Sequence, residues 1–254
     1  MALFTDGPPS TIEQLTGLDS QLTSVASTEG IDVTRKLVLA HEEIGLDLEA
    51  LLKRMSPADR PMWEVVKPSL ENVVVTPALK LWFAYRTLEL VYSDAYNSQL
   101  NDRYMGKRDQ FQQMAVAHRE RLMEAGAGMA SIPVPRAMTP VLAAARGSLP
   151  DNIYYVTAAW VNRVNEEGAS SIPAAITTAS SSFSATLGPA PPNATGWNVY
   201  VGTDPDSMTL QNSSPLAAGA AWVQPVWISA TGRKPGSGQA PSYVQSLARI
   251  LQRG

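Results

Sequence analysis

Apolar residues in the first half of the chain recur every three or four positions, the spacing of one face of an α-helix. Thr76-Pro77 is a strong helix start, because threonine caps the first turn and proline has no N–H to lose there. Ser10 and Glu13 match the pattern of a capping box, which predicts the start of the first helix. The pattern therefore predicts a helical bundle with helices over about 10–26, 32–55, 77–100 and 107–125.

The predicted helix after Pro77 is apolar around most of its circumference, with a narrow polar strip through Lys80, Thr87 and Asp94. A helix of this kind must be covered by more than one neighbour. In a domain this small, part of the cover can come from another subunit. The residues predicted to lie in the core or in a subunit interface are Trp82, Tyr85, Leu88 and Tyr92.

In the second half the pattern changes to alternation of apolar and polar residues, which is typical of β-strands. The clearest strands are predicted at 154–160, 183–187 and 197–201, with shorter candidates at 208–210 and 221–223. Pro and Gly clusters separate them at short intervals, as in a β-sandwich.

The last segment regains a helical pattern. Residues 231–238 are rich in Gly and are expected to be flexible, whereas 241–253 places apolar side chains on one side of a short helix. Such a helix needs its apolar side buried, either on a partner or on its own domain. The predicted docking residues are Tyr243, Val244, Leu247, Ile250 and Leu251.

These patterns predict an α+β chain whose helical and β parts are separate domains. The expected divisions are a helical domain over 1–130, a linker over 131–152, a β-sandwich over 153–228, and a flexible linker with a docking tail over 229–254. Charge follows the same division, because residues 1–146 carry 15 Lys or Arg and 18 Asp or Glu, whereas residues 147–254 carry 5 and 5.

Composition favours a structural role over catalysis. A net charge of −3 provides no basic surface for gripping nucleic acid, and the absence of cysteine excludes disulfides and Cys-based metal or redox sites. His41 and His118 lie on apolar helix faces and are interpreted as packed core or interface residues. No catalytic, cofactor-binding or metal-binding residue is predicted, so we expect neither an enzyme nor a bound cofactor. The uncharged stretches are broken by Pro and Gly, so no membrane span is expected.

Two parts of the chain resemble known modules. The run 88–96, followed by Leu100-Asn101-Asp102-Arg103-Tyr104 and Gly106-Lys107, resembles the helical core of head–tail connector (adaptor, or neck) proteins of tailed bacteriophages. The run 154–162, continuing to Gly168-Ala169-Ser170-Ser171, looks like the last hairpin of a fibronectin-type or immunoglobulin-like sandwich. Residues 196–202 are similar to a central strand of such a module, so a permuted strand order is expected.

The connector resemblance implies a virion protein at the neck, assembled in the host cytoplasm. It implies a homo-oligomeric ring, typically of twelve copies, between the portal protein and later tail-completion or tail-terminator proteins. DNA would pass through the pore without tight binding, and the family has no catalytic residues to carry over. The alternatives are another phage structural or adhesion protein (baseplate, fibre attachment or carbohydrate binding), and an enzyme with an appended sandwich.

Overall fold

The structure, a computed structural model, describes residues 2–54, 69–99, 102–225, 227–236 and 238–244. The chain divides into two compact units. The helical unit comprises Gly7–Ser131 and Pro241–Gly254, and the β unit comprises Met1–Asp6 and Ile132–Ala240. Each chain terminus therefore belongs to the unit that is formed mainly by the other half of the sequence.

The helical unit contains helices that follow the predicted pattern closely. They are α1 Ile12–Leu18, α2 Leu22–Glu29, α3 Val33–Arg54, α4 Pro77–Gln99 and α5 Met105–Ala125. The first predicted helix is in fact two, because the chain leaves helical geometry at Asp19. Its capping box also lies one residue later than predicted, with Thr11 and Gln14 making the two reciprocal hydrogen bonds.

Helix α4 forms the centre of the helical unit and contacts α2, α3 and α5. Phe83, Leu88 and Val91 are completely buried along it. The broad apolar surface of α4 is thus covered largely by helices of its own chain, as expected for a helix with apolar side chains on nearly all sides.

Antiparallel strands supply most of the β unit, which confirms the prediction of a helical first half followed by β structure. The ten strands in the described residues are β1 Ala127–Met129, β2 Val141–Ala145, β3 Asn152–Asn162, β4 Ala174–Thr178, β5 Ser182–Thr186, β6 Ala194–Gly202, β7 Thr209–Leu210, β8 Leu216–Ala217, β9 Trp222–Val223 and β10 Ser242–Val244. One sheet has the order β2-β5-β9, and a second has the order β4-β3-β6-β7, with β8 also paired to β6.

Side chains from both sheets pack in one hydrophobic core. Phe183, Ala185 and Trp222 come from the smaller sheet, and residues such as Trp160 and Trp197 come from the larger. The run 154–162 is a central part of the larger sheet, because β3 pairs with β4 on one side and with β6 on the other. The run does form a hairpin with β4, but strands β5 to β9 follow it in the chain, so the interpretation of it as the last hairpin is wrong.

Apart from Ser131, the segment predicted as the first linker, 131–152, belongs to the β unit. Strand β2 lies within it, and Val134, Ala137 and Leu149 are buried in the core. The sequence suggested a linker because Pro and Gly interrupt any long regular element there. These residues instead limit the length of a short strand and of the buried segments on either side of it.

The segment predicted as a flexible linker after residue 228 also packs on the β unit. The backbone carbonyl of Arg233 accepts a hydrogen bond from Leu210, and the buried Gln239 side chain accepts one from the N–H of Val134. A Gly-rich composition does not prevent this packing, because Gly232 lies against the backbone of Leu210, where a Cβ atom would not fit.

The start of the tail is a strand, not the predicted helix. Tyr243 and Val244 lie in β10, which pairs with β1 of the helical unit. Strand β1 follows directly after α5, and its backbone groups gain ladder partners from β10, a long-range pairing that a local helical pattern cannot indicate. The other predicted docking residues, Leu247, Ile250 and Leu251, lie outside the described residues.

Candidate functional site

The four α4 residues predicted for the core or a subunit interface differ in exposure. Trp82, Leu88 and Tyr92 are buried within the helical unit, and Tyr85 is partly exposed. Tyr85 stacks on His118 of α5, with ring centroids 5.1 Å apart and planes 16° from parallel. The core of the chain itself therefore accounts for three of the four positions.

Both histidines pack against aromatic rings. His41 meets Phe83 edge to face at 6.4 Å, and His118 is buried beneath Tyr85. Burial lowers the pKa of His118, and the nearby charge of Arg121 lowers it further. His118 is accordingly held in its neutral form, which agrees with its interpretation as a packed histidine.

A buried carboxylate, Asp19, links three parts of the helical unit. It accepts hydrogen bonds from the Tyr92 hydroxyl of α4 and, at 2.7 Å, from the Lys107 ammonium of α5. Lys107 also lies over the rings of Tyr92 and Phe111, at 5.8 and 5.3 Å from their centroids. Tyr92 lies in the run 88–96 and Lys107 in the pair 106–107, so these two parts of the chain meet at Asp19.

The charge state of this cluster follows from its contacts. Burial alone would raise the pKa of Asp19, but the hydrogen bonds from Lys107, Tyr92 and the Gln21 backbone outweigh it, so the pKa is lowered. Burial and the neighbouring carboxylate both raise the pKa of Tyr92. Asp19 is therefore ionised and Tyr92 protonated at neutral pH, an arrangement that stabilises packing and leaves no free base for catalysis.

A second buried carboxylate, Glu167, organises the β unit. It accepts hydrogen bonds from the Tyr200 hydroxyl, which is 2.7 Å from both carboxylate oxygens, and from the Asn198 amide. Arg233 reaches it with a guanidinium nitrogen 2.6 Å from Oε1. Burial raises the pKa of Tyr200, and Glu167 adds to the effect, so the phenol stays protonated. The cluster joins the segment around Arg233 to β6.

Sequence reasoning missed both carboxylate clusters. Glu167 lies where the chain turns at the end of β3, since it bridges back to Val161. The local sequence gives no sign that Glu167 is buried. The partners of both carboxylates are remote in the chain. Tyr92 and Lys107 lie 73 and 88 positions from Asp19. Tyr200 and Arg233 lie 33 and 66 positions from Glu167.

A groove of about 270 Å³ lies on the helical unit between α3, α4 and α5. The buried side chains of Ile44, Trp82 and Ala115 form its apolar part, with the half-exposed Val116 beside them.

Charged side chains also line this groove. Arg86 pairs with Glu43 and with Glu89, both at 2.8 Å, and Arg119 pairs with Asp47 at 3.2 Å. Three carboxylates thus face two guanidinium groups.

The tryptophans of the β unit are mainly core residues. Trp160, Trp197 and Trp222 are buried. Trp227 is 74% exposed. A platform of several stacked tryptophans for sugar binding is therefore not formed by these four residues.

Neither a membrane-spanning helix nor a metal site is found in the described residues. None of the helices in the part of the chain that the structure describes is long and apolar enough to cross a membrane. Within the same residues, His, Asp and Glu side chains form no group of three that could hold a metal ion. The chain matches no family model, and no curated protein or solved structure is significantly similar to it.

Proposed function

We propose that this chain is a structural virion protein that forms a ring at the head–tail junction of a tailed bacteriophage. In this proposal several copies, twelve by analogy with connector proteins, form a ring that lies between the portal protein and the tail-completion or tail-terminator proteins. The role is one of assembly and needs no catalytic residue or cofactor.

The observation that carries the proposal is the place of the connector-like segments in the fold. They form the second half of α4, the 3₁₀ turn Asp102–Tyr104 and the start of α5. Tyr104 donates a hydrogen bond to Glu29 at 2.9 Å, and Tyr92 and Lys107 both bind Asp19. Tyr92, Tyr104 and Lys107, which belong to the connector-like segments, thus connect α4 and α5 to the first helices through hydrogen bonds. This supports a structural motif that defines the helical unit.

The proposal includes an immunoglobulin-type sandwich for the β unit. The order β4-β3-β6-β7 corresponds to the C′-C-F-G order of such modules, and the buried Trp160 on β3 occupies the strand that carries a core tryptophan in that fold. The smaller sheet departs from the pattern, since β5 is flanked by the first and last strands of the unit. In a virion such a module suits an outward-facing position.

Light scattering coupled to size-exclusion chromatography tests the proposal on the full-length chain. A single species with the mass of many subunits supports a ring component. A stable trimer or monomer that binds immobilised carbohydrate would instead support an adhesion or fibre-attachment protein and would contradict the connector proposal.

A further inference from the structure

We propose that residues 245–254 of the chain bind in the groove between α3, α4 and α5 of the same chain's helical unit. The inference does not rest on the ring, since it concerns only a single chain. It assigns the groove a ligand, namely a short basic and apolar peptide that the chain itself carries.

The first support is where the tail starts. Strand β10 pairs antiparallel with β1, and Val244 lies opposite Ala127, two residues beyond the last residue of α5. Val244, the last described residue before this segment, therefore lies at the C-terminal end of α5, and α5 is one wall of the groove.

The second support is reach. Along α5 the groove extends from Arg119 to Gln112. At a rise of 1.5 Å per residue, these residues lie about 9 Å and about 20 Å from the C-terminal end of the helix at Ala125. A ten-residue segment spans about 33 Å when extended and about 15 Å when helical. The tail can thus cover the groove without leaving the helical unit.

The third support is chemical fit. Residues 245–254 contain no Asp or Glu, and they carry Arg249 and Arg253 together with three large apolar side chains, Leu247, Ile250 and Leu251. The groove offers apolar surface at Ile44, Trp82 and Val116, and it has more carboxylates than guanidinium groups.

The weakest existing ion pair in the groove is that of Asp47 with Arg119, because both side chains are nearly half exposed. An arginine of the tail can therefore pair with Asp47 with little loss of stability in the helical unit.

A tethered segment has an advantage over the same segment in another molecule. A short tether holds it at an effective concentration in the millimolar range, well above the concentration of a second copy in dilute solution. The pairing of β10 with β1 supplies that tether within one chain. For this reason we assign the groove to the chain's own tail.

The absence of cysteine from the chain makes a crosslinking test direct. In the full-length protein, Val116→Cys in the groove is combined with Leu247→Cys, Ile250→Cys or Leu251→Cys in turn. The matched control places the groove cysteine at Val38, also on the helical unit but outside the groove, where valine is 47% exposed against 51% for Val116. A short bis-maleimide is then added, and products are separated under denaturing conditions.

The proposal expects at least one tail position to give crosslinked monomers with Val116→Cys at several times the yield seen with Val38→Cys. Adding Arg249→Glu should lower that yield several-fold. Equal yields at the two valine positions, no crosslinked monomer, or crosslinked dimers only would each overturn it, and dimers would assign the groove to the tail of a second copy. Thermal melts of the variants check that the surface cysteines leave the fold intact.

Discussion

Asp19 in the helical unit and Glu167 in the β unit are buried carboxylates, each with several hydrogen-bond donors. Taking a charge out of water is costly, so each is tolerated only because its contacts replace the lost hydration. Asp19 has Tyr92 and Lys107, and Glu167 has Tyr200 and Arg233. Removing the central carboxylate leaves its partners without an acceptor, which makes these two positions sensitive to substitution.

Asp19→Asn should destabilise the helical unit by about 2 kcal/mol at neutral pH, because an uncharged amide replaces the carboxylate that accepts hydrogen bonds from Tyr92 and Lys107. The pKa of Asp19 is lowered from its ordinary 3.8, so its ionised form stabilises the fold above that pH. This contribution disappears as the pH falls through the pKa in the folded protein. Urea unfolding of both proteins between neutral and acidic pH should therefore show their difference shrinking below about pH 4.

Glu49→Gln is the matched control, since Glu49 also pairs with a lysine, Lys53 at 3.1 Å, but on an exposed helix surface. Exposed pairs of this kind contribute about 0.5 kcal/mol or less. If Asp19→Asn were no more destabilising than Glu49→Gln, Asp19 would not hold the helical unit together as described.

Leu88→Lys should unfold the helical unit, because the side chain is completely buried in its own chain. A buried unpaired charge costs about 4 kcal/mol or more. Leu46→Lys is the control on α3, where leucine is 69% exposed, and its expected effect is within about 0.5 kcal/mol. Far-UV circular dichroism during denaturant unfolding measures both. A folded Leu88→Lys protein would place Leu88 outside the core.

The sequence predicts the apolar face of a helix better than it predicts which polar residue makes a capping or buried hydrogen bond. Ser10-Glu13 and Thr11-Gln14 are overlapping capping boxes one residue apart, and the chain uses the second. Asp19 lies in a break between two short helices, a position that local patterns treat as an ordinary turn. Its role depends on contacts with α4 and α5 that only the folded chain brings together.

At the scale of elements, segments with a clear local pattern were predicted well, among them the short strands β5, β7 and β9, whereas strands without such a pattern were missed. Helices α3 and α4 and strands β3 and β6 carry strong patterns over nine or more residues. Strand β2 is only Val-Leu-Ala-Ala-Ala, with neither alternation nor a high β propensity, so nothing local marks it. Strand β10 lies at the start of a helical pattern, and its pairing with β1 overrides that preference.

The extent of the β unit leads to a test with fragments. A fragment of residues 132–240 should unfold cooperatively, whereas residues 150–230 alone should not. The shorter fragment lacks β2, which pairs with β5, and it lacks the buried Val134 and Gln239, which hydrogen bond to each other. Thermal unfolding followed by circular dichroism compares the two. Equal cooperativity would show that the flanking segments are dispensable.

For the whole molecule, the exchange of termini is the feature that local reasoning could not reach. The N-terminal residues join the β unit, where the N–H of Arg136 donates to Asp6 at 2.7 Å. The residues from Pro241 join the helical unit. The chain therefore passes three times between the units, so neither unit is made of one continuous segment.

The proposed pore function predicts weak binding to DNA. Each phosphate that a protein neutralises adds salt-sensitive affinity, which would hold a genome in place instead of letting it pass. With a net charge of −3, the full-length chain should show little retention of duplex DNA at moderate salt in a gel-shift assay. Tight binding that weakens steeply with salt would contradict a channel role.

The central claim is that the chain assembles as a ring, and negative-stain microscopy of the purified full-length protein tests it most directly. Head-to-tail contacts between two different surfaces of one subunit close into a ring when the rotation between neighbours divides a full turn. We predict closed rings with a central pore, of uniform diameter and with a constant number of subunits. Only single subunits, or compact trimers without a pore, at every concentration examined would contradict the claim.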